Sequence, residues 1–357
     1  MAITRIGNPA IADVRGVNFR NIIINGDMSI AQRGTSATGL GNGDTGYHTC
    51  DRWKWTEGGS PTFEFTMSQD TDVPTGQGFA NSLKYDCTTA DTSFASSDLL
   101  RLQQEIEGQN LQYLKKGTSN AESLTVSFWV KSNKTGTYIA ELEDRDNSRY
   151  ISQSYTISSA DTWEKKTITF SGDTSGTLDN DNGNSLRLNF WLGGGSDFTS
   201  GTLSTTWHTT NANRAVGQVN LADSTSNEWY ITGVQLEAGS QASDFEFLPH
   251  DVNLQRCQRY FIANFQGSAG QAYTSTDGLI SLRHPVSLRA NASVSQKSGV
   301  SITIDIIGGS QNASGYGLSG SGHSAQATAV VVTGLSGRTT NQTLIMANSG
   351  TQLSAEL

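Results

Sequence analysis

The sequence predicts an all-β fold, two β-sandwich regions joined by one short helix, and three observations carry that prediction. The 357 residues include 38 Gly and only 16% charged residues, with Ser, Thr and Asn abundant throughout. Ser, Thr and Asn compete with helical backbone bonds and Gly accepts turn geometry, so this mixture favours short strands joined by many turns. From about Ile22 to Glu237, apolar and polar residues alternate over five to eight positions and then break at Gly, Asn, Asp or Ser, the pattern of half-buried strands. After Leu248-Pro249 the period turns helical for a short stretch, and then strand patterns return. The length allows two or three domains, each able to bury a core.

Taken in chain order, "SLKYDC" sets Leu83, Tyr85 and Cys87 on one face. "QNLQYLKKG" spaces Leu111 and Leu114 three apart, ends in two lysines and stops at Gly117, which predicts a short helix closing one end of the sandwich. In "SLTVSFWVKS", Leu124, Val126, Phe128 and Val130 share a face, with Thr125, Ser127, Trp129 and Lys131 on the other. "KKTITF" pairs Ile168 with Phe170, and "SLRLNFWLGG" puts Leu186, Leu188, Phe190 and Leu192 inward and Arg187, Asn189 and Trp191 outward. Such strands describe two packed antiparallel sheets. Residues 238–253 read as a boundary, and Leu254, Cys257 and Phe261 at helical spacing predict a connecting helix after it. From Ile262 onward only seven residues are charged, and strands are predicted at "GLISL", "SITIDII", "TAVVVTGL" and "QTLIMAN". The Gly-rich stretch Gly308 to Ser324 between the second and third of these predicts a long loop. No repeat of solenoid period is present.

The net charge of -9 offers no basic patch for phosphates, so nucleic acid is not an expected ligand, whereas a neutral glycan is compatible. The N-terminus has no apolar core of signal-peptide length, and no stretch approaches the roughly 20 apolar residues of a membrane span. Synthesis and folding in a cytosol, without membrane insertion, are therefore expected. Cys50, Cys87 and Cys257 are odd in number and far apart, which predicts three free thiols rather than a disulfide framework or a CxxC metal site.

Candidate chemistry is sparse. Cys257 has His250 as its nearest histidine in sequence, behind Pro249, and is expected to be a small buried hydrophobe rather than a nucleophile. The acidic runs "ELEDRDN" and "GDTSGTLDNDNG" could pair carboxylates for glycoside hydrolysis. They lie among turn formers, so solvated turns and no catalytic residue are expected. Asp179, Asp181 and Gly183 echo a calcium loop, but the Gly comes one position early and no Glu follows at the required distance. Trp129 and Trp191 are out of phase with their strands' core residues, so each ring either stacks on a sugar or fills an interface. The Gly308 to Ser324 stretch lacks a phosphate-binding motif. It carries Tyr316 and His323 as candidate glycan contacts, with a packing loop as the alternative.

Three stretches resemble one family. "NIIINGDMSIAQRGTS" followed by "YHTCDRWKW", then "SLTVSFWVKSNKTGTY" with "ITGVQLEAGSQASDFEFLPHDVNLQRCQRYF", and finally "QLSAEL", are similar to stretches of the fibre and minor structural proteins of tailed bacteriophages, marine ones especially. The resemblance covers roughly residues 21 to 261 well and the remainder weakly; in "RHPVSLRANASVS", Leu288 stands where a Met is usual and a second proline is missing. It implies a virion-attachment segment over 1–20, a carbohydrate-binding-module-like jelly roll over 21–248, a connecting helix over 249–264 and a C-terminal β tip domain over 265–357. It further implies a homotrimer made in the host cytoplasm and carried on the virion as a tail fibre, attached to tail or capsid protein through its N-terminus and binding a host surface glycan or receptor. Trp129, Trp191, Tyr316 and His323 are the residues assigned to carbohydrate. No cofactor is expected beyond one structural calcium of the kind such jelly rolls often hold. A capsid-attached head fibre or decoration protein is the alternative within that class, and a polysaccharide depolymerase is the alternative outside it.

Overall fold

The computed structural model describes residues 20–265, 267–296, 300–306, 309–324, 326–348 and 350–357. The expected attachment segment over 1–20 thus lies, apart from Arg20, outside the described residues. The fold is nearly all β. Twelve strands make the first part: β1 Ser36–Leu40, β2 Gly46–Tyr47, β3 Lys54–Gly58, β4 Glu64–Asp70, β5 Ser82–Thr89, β6 Leu99–Glu107, β7 Leu124–Ser132, β8 Gly136–Asp144, β9 Arg149–Ile157, β10 Glu164–Phe170, β11 Asn184–Gly194 and β12 Glu228–Ala238. They form two six-stranded sheets, β1-β4-β5-β12-β7-β10 and β2-β3-β6-β11-β8-β9. Every pairing is antiparallel.

The inward phases are those the sequence alternation marks. Val126, Phe128 and Val130 of β7 and Leu186, Leu188 and Phe190 of β11 belong to one core with Leu83, Tyr85 and Cys87 of β5. Aromatic rings dominate it: Phe128 meets Phe190 edge-on at 4.9 Å, and Trp55 stacks on Tyr85 at 5.2 Å. The segment expected as a short helix is instead two 3₁₀ turns, Gly108–Asn110 and Gln112–Leu114, and the chain reverses at Lys115, φ 54°, before Gly117. Three-residue turns already eclipse side chains three apart, so Leu111 and Leu114 are both buried without an α-helix.

Two α-helices follow β11, a single turn α1 (Ser196–Thr199) and α2 (His250–Gln258). In α2 the buried positions are Asn253 and Cys257, four apart. Cys257 packs with Ile24, Ile30 and Tyr260 and is joined by Leu254 and Leu357. Phe261, expected on the helical stripe, already opens the next strand, because the helix ends at Gln258, three residues earlier, and Tyr260 takes the place beside Cys257. All three cysteines are free, as the spacing predicts, and all three are buried.

Ten strands complete the chain: β13 Phe261–Ala263, β14 Ala269–Ala272, β15 Gly278–Arg283, β16 Ser293–Gln296, β17 Thr303–Ile306, β18 Gly309–Asn312, β19 Gly315–His323, β20 Ala327–Thr333, β21 Thr343–Asn348 and β22 Thr351–Ser354. They form a three-stranded sheet, β13-β22-β16, and a seven-stranded sheet, β18-β17-β21-β14-β15-β20-β19. Ile280, Leu282, Ile304, Val330, Val332, Leu344, Met346 and Leu353 lie in a second, mainly aliphatic core. The long loop expected over Gly308 to Ser324 is corrected: it holds β18 and β19, the two edges of the seven-stranded sheet. Ladder bonds come from the backbone, so Gly-rich segments become strands once Thr303–Ile306 and the valine-rich β20 present partners.

The N-terminal stretch, the segment after β12 and the last residues meet at one junction. Asn21 and Gly26 lie against Val234 of β12; a Cβ on Gly26 would sit 2.0 Å from the Val234 carbonyl oxygen, so the close approach requires glycine there. Asn253 of α2 donates to Asp27 and Ser29 at 3.1 and 3.0 Å. Glu356 is held by Arg33 and Arg52, the Arg52 guanidinium lies 3.5 Å over the Tyr260 ring, and Arg289 donates to the carbonyls of Ala355 and Glu356. Among the described residues no helix is long and apolar enough to cross a membrane.

Candidate functional site

Strand register lays out the outer face of the second sheet as rungs. Thr56, Arg101, Trp191, Ile139 and Ser154 stand opposite one another across β3, β6, β11, β8 and β9. The next rung is Lys54, Gln103, Asn189, Glu141 and Ser152, and the third is Glu105, Arg187, Glu143 and Tyr150. The chain between β11 and β12 folds back over part of this face. Phe198, Leu203 and Ala215 pack on Trp191, Leu99 and Ile139. Arg214 forks onto Glu141 at 2.8 and 2.7 Å and reaches Glu143 at 3.1 Å.

This corrects the reading of "ELEDRDN" as a solvated turn. Glu141 and Glu143 are 0% and 2% exposed, on β8 rather than in a turn. Desolvation is offset by pairing. Asn189 donates to both carboxylates at 2.8 and 3.0 Å, Arg101 lies 3.4 Å from Glu143, and Arg145 lies 2.7 Å from it. Burial pushes the Glu143 carboxyl up, but Arg101, Arg214 and Arg187 together outweigh it and hold it down at about 2. A glycosidase acid must keep its proton near neutral pH, which calls for the opposite shift. Glu143 has no proton to give.

The outer face of the first sheet is more open. Trp129 of β7 stands half-buried between Lys165 of β10 and Thr232 of β12. In the same outward phase lie Lys131 and Tyr230, with the Lys131 ammonium 4.2 Å over the Tyr230 ring. Trp163, half-buried just before β10, meets Tyr230 edge-on at 6.2 Å and donates its indole N–H to Asp72 at 2.9 Å. Burial raises the Tyr230 phenol, with its bond to Glu228 acting the same way, so it stays a neutral donor at physiological pH. Two half-buried indoles flanking polar groups on one sheet face can stack on sugar rings. Sequence reading missed Trp163 and Tyr230; the available signal was that Trp163 shares phase with Lys165, and Tyr230 with Thr232.

The other expected carbohydrate residues are not brought to this face. Trp191 is 0% exposed beneath the Phe198 ring at 5.3 Å, with the Arg101 cation 4.9 Å from its own ring. A ring so covered cannot stack on a sugar, so its assignment to carbohydrate is corrected to packing under the β11–β12 connection. Tyr316 is on β19 opposite Val332, half-buried against the C-terminal core, which raises its phenol by desolvation. His323 stands opposite Thr328 at the end of β19, and its side chain is outside the described residues. Asp179 and Asp181 are exposed, and Asp181 accepts the Gly183 N–H at 2.7 Å as in an ordinary Asx turn. Asp173 in the same acidic run is buried, paired with Arg149 at 2.7 Å and Lys116 at 3.1 Å. Among the described residues no group of three or more His, Cys, Asp or Glu side chains is arranged to hold a metal ion.

No protein-family model and no curated protein sequence matches the chain. Solved structures with a similar fold include the enzymatically active domain of bacteriophage CBA120 tailspike protein 4, at 13% identity and TM-score 0.33, covering 62% of this chain and 22% of that one. They also include the carbohydrate-binding module TmCBM61 in complex with β-1,4-galactotriose, at 11% identity and TM-score 0.30, covering 61% of this chain and 99% of that one. A family 11 carbohydrate-binding module from Clostridium thermocellum, in complex with a β-1,3-1,4-mixed-linked tetrasaccharide, matches at 13% identity and TM-score 0.30 over 58% of this chain and 98% of that one. These are partial likenesses of fold and of nothing finer.

Proposed function

We propose that the chain is a non-enzymatic structural fibre of a phage particle, a tail fibre attached through its N-terminal segment, that contacts a host surface glycan. The observation that supports contact rather than hydrolysis is the contrast between the two sandwich faces. The buried Glu141 and Glu143 are tied up by arginines, while Trp129 and Trp163 keep partly open indole faces beside Tyr230. The fibre is made in the host cytoplasm and assembles as a homotrimer. Support for the trimer comes from Leu279 and Ile345, 38% and 44% exposed on the outward phase of the seven-stranded sheet, where a neighbouring subunit would cover them.

Cell adsorption tests this reading. The double variant Trp129→Ala/Trp163→Ala is expected to lower adsorption at least about tenfold while the fold and the assembly state persist. Unchanged adsorption removes the glycan platform, release of reducing ends from host polysaccharide removes the non-enzymatic role, and a stable monomer in light scattering removes the trimer.

A further inference from the structure

A groove of about 480 Å³ runs between the sandwich and the three-stranded sheet, within the roughly 300–1,000 Å³ range of small-molecule sites. One wall is Arg33, Tyr47 and His48 from the sandwich; the other is Ser295, Gln352 and Ser354 from β16 and β22. We infer that this groove is a second saccharide site, one that takes a short neutral oligosaccharide bridging the two β regions. The inference rests on the glycan-binding reading above and places a binding site away from the Trp129 platform.

Charge balance selects a neutral ligand. Arg33 is the cation of the groove, and it is already matched by Glu356 at 3.1 Å and Asp51 at 3.9 Å while its guanidinium lies 3.5 Å over the Phe261 ring. An anion entering beside Arg33 would meet those carboxylates. His48 adds no charge at neutral pH, since burial lowers its pKa from the ordinary value. Its Nε2 lies 2.7 Å from the Asp44 carbonyl oxygen, which can only accept, so Nε2 carries the proton and Nδ1 is left as an acceptor.

Hydrogen-bonding capacity selects a polyol. The opposite wall presents two hydroxyls and an amide, and neither Ser295, Ser354 nor Gln352 spends its side chain on a hydrogen bond among the described residues. Strand pairing fixes them: Ser295 lies opposite Gln352, and Ser354 opposite Phe261. These three and the His48 Nδ1 make a set that both donates and accepts, as vicinal sugar hydroxyls do. The Tyr47 ring borders the groove, while its O–H is turned to Glu105 and the Leu357 carbonyl at 3.5 Å.

The test is calorimetric titration of the full chain with maltotriose, cellotriose and β-1,4-galactotriose, and with sialyllactose as the anionic counterpart. At least one neutral trisaccharide is expected to bind more tightly than sialyllactose. Ser295→Trp, which fills the groove from its exposed edge, is expected to weaken that binding at least about tenfold with the melting temperature unchanged. If Ser295→Trp lowers the melting temperature, Gln352→Ala decides, with an expected loss of about three- to tenfold. Binding of no neutral trisaccharide, preference for sialyllactose, or affinity indifferent to both groove variants overturns the inference. Binding lost in Trp129→Ala/Trp163→Ala but kept in the groove variants overturns the groove and leaves the glycan reading standing. Binding lost in the groove variants alone supports the groove even if Trp129 proves inert.

Discussion

The two β regions solve the problem of a core differently. The sandwich buries Trp53, Trp55, Phe63, Phe65, Tyr85, Phe128, Phe190 and Trp229 together. The C-terminal core has Phe265 as its buried ring, with Tyr316 partly buried against it, and otherwise relies on Ile, Leu, Val, Met and Ala. Large rings remove more area from water and pack in fixed geometries, so the sandwich is equipped to hold its shape on its own residues. The C-terminal region borrows rigidity through the junction, where Glu356 is held by Arg33 and Arg52, Tyr260 and Arg259 bond Glu107, and Arg289 donates to the Asn182 carbonyl. The contrast makes the sandwich the scaffold and the junction the coupling between the two regions.

The sharpest way to break this comparison is inside the aromatic core. Trp229 is 0% exposed and meets Tyr85 edge-on at 5.9 Å and Phe190 at 6.3 Å. Trp229→Ala is expected to cost about 3–5 kcal/mol, read by chemical denaturation. A loss below about 1 kcal/mol would mean the ring cluster does not carry the sandwich.

Acid probes the locked face of the second sheet. The folded carboxyl of Glu143 is held at about 2 against an ordinary value of 4.5, so its contribution is fully present above pH 4.5 and is lost as pH falls from there towards 2. At most about 3 kcal/mol is involved. Glu143→Gln should flatten the stability profile across that window; a profile as steep as the native one would show that other carboxylates dominate it. His208, half-buried, has its pKa lowered by desolvation and by the nearby Arg214 and Arg149, and it works in the same direction at higher pH: the unfolded chain takes up the proton first, so stability falls as pH drops below about 6.5.

The junction comes next. Glu356→Gln removes one charge from the Arg33–Glu356–Arg52 group and leaves Arg52, 1% exposed, without its ion pair. A buried cation losing its partner costs about 1–3 kcal/mol. The loss should fall on the C-terminal region, seen as faster amide exchange in β22 and β13 with the sandwich strands unchanged. Exchange that speeds up equally everywhere would count against the junction as a coupling device.

How much of this was legible depends on whether a residue's neighbours are local. The inward residues of β5, β7, β10 and β11 follow from alternation alone, because a strand's phase decides its face. The fate of the outward phase does not: Glu141, Glu143 and Trp191 look exposed in sequence and are buried because Phe198, Leu203 and Arg214 arrive from the β11–β12 connection. Gly-rich β18 and β19 carry no readable period, since glycine marks neither face. The groove at Arg33, Tyr47 and Ser295 was invisible for the same reason as the junction: its walls lie more than two hundred residues apart in the chain and are joined only by tertiary packing.

The smallest expected effect answers whether Cys257 is a nucleophile or a packing residue. It is 0% exposed, on the buried side of α2 against Ile24, Ile30 and Tyr260. Burial pushes its thiol well above the ordinary range, Asp51 adds to the rise, and the nearby Arg52 only partly opposes it. A nucleophilic cysteine needs its thiolate, and this site disfavours that form. Cys257→Ala is therefore expected to cost only about 1–2 kcal/mol of packing, with assembly and cell binding retained. In the native protein a thiol reagent at pH 8 should label none of the three buried cysteines, and all three should react once the chain is unfolded in denaturant. Rapid labelling of Cys257 in the folded state, or loss of an activity in Cys257→Ala that a matched packing variant such as Ile30→Val retains, would turn the residue from a structural part of the junction into a chemical one.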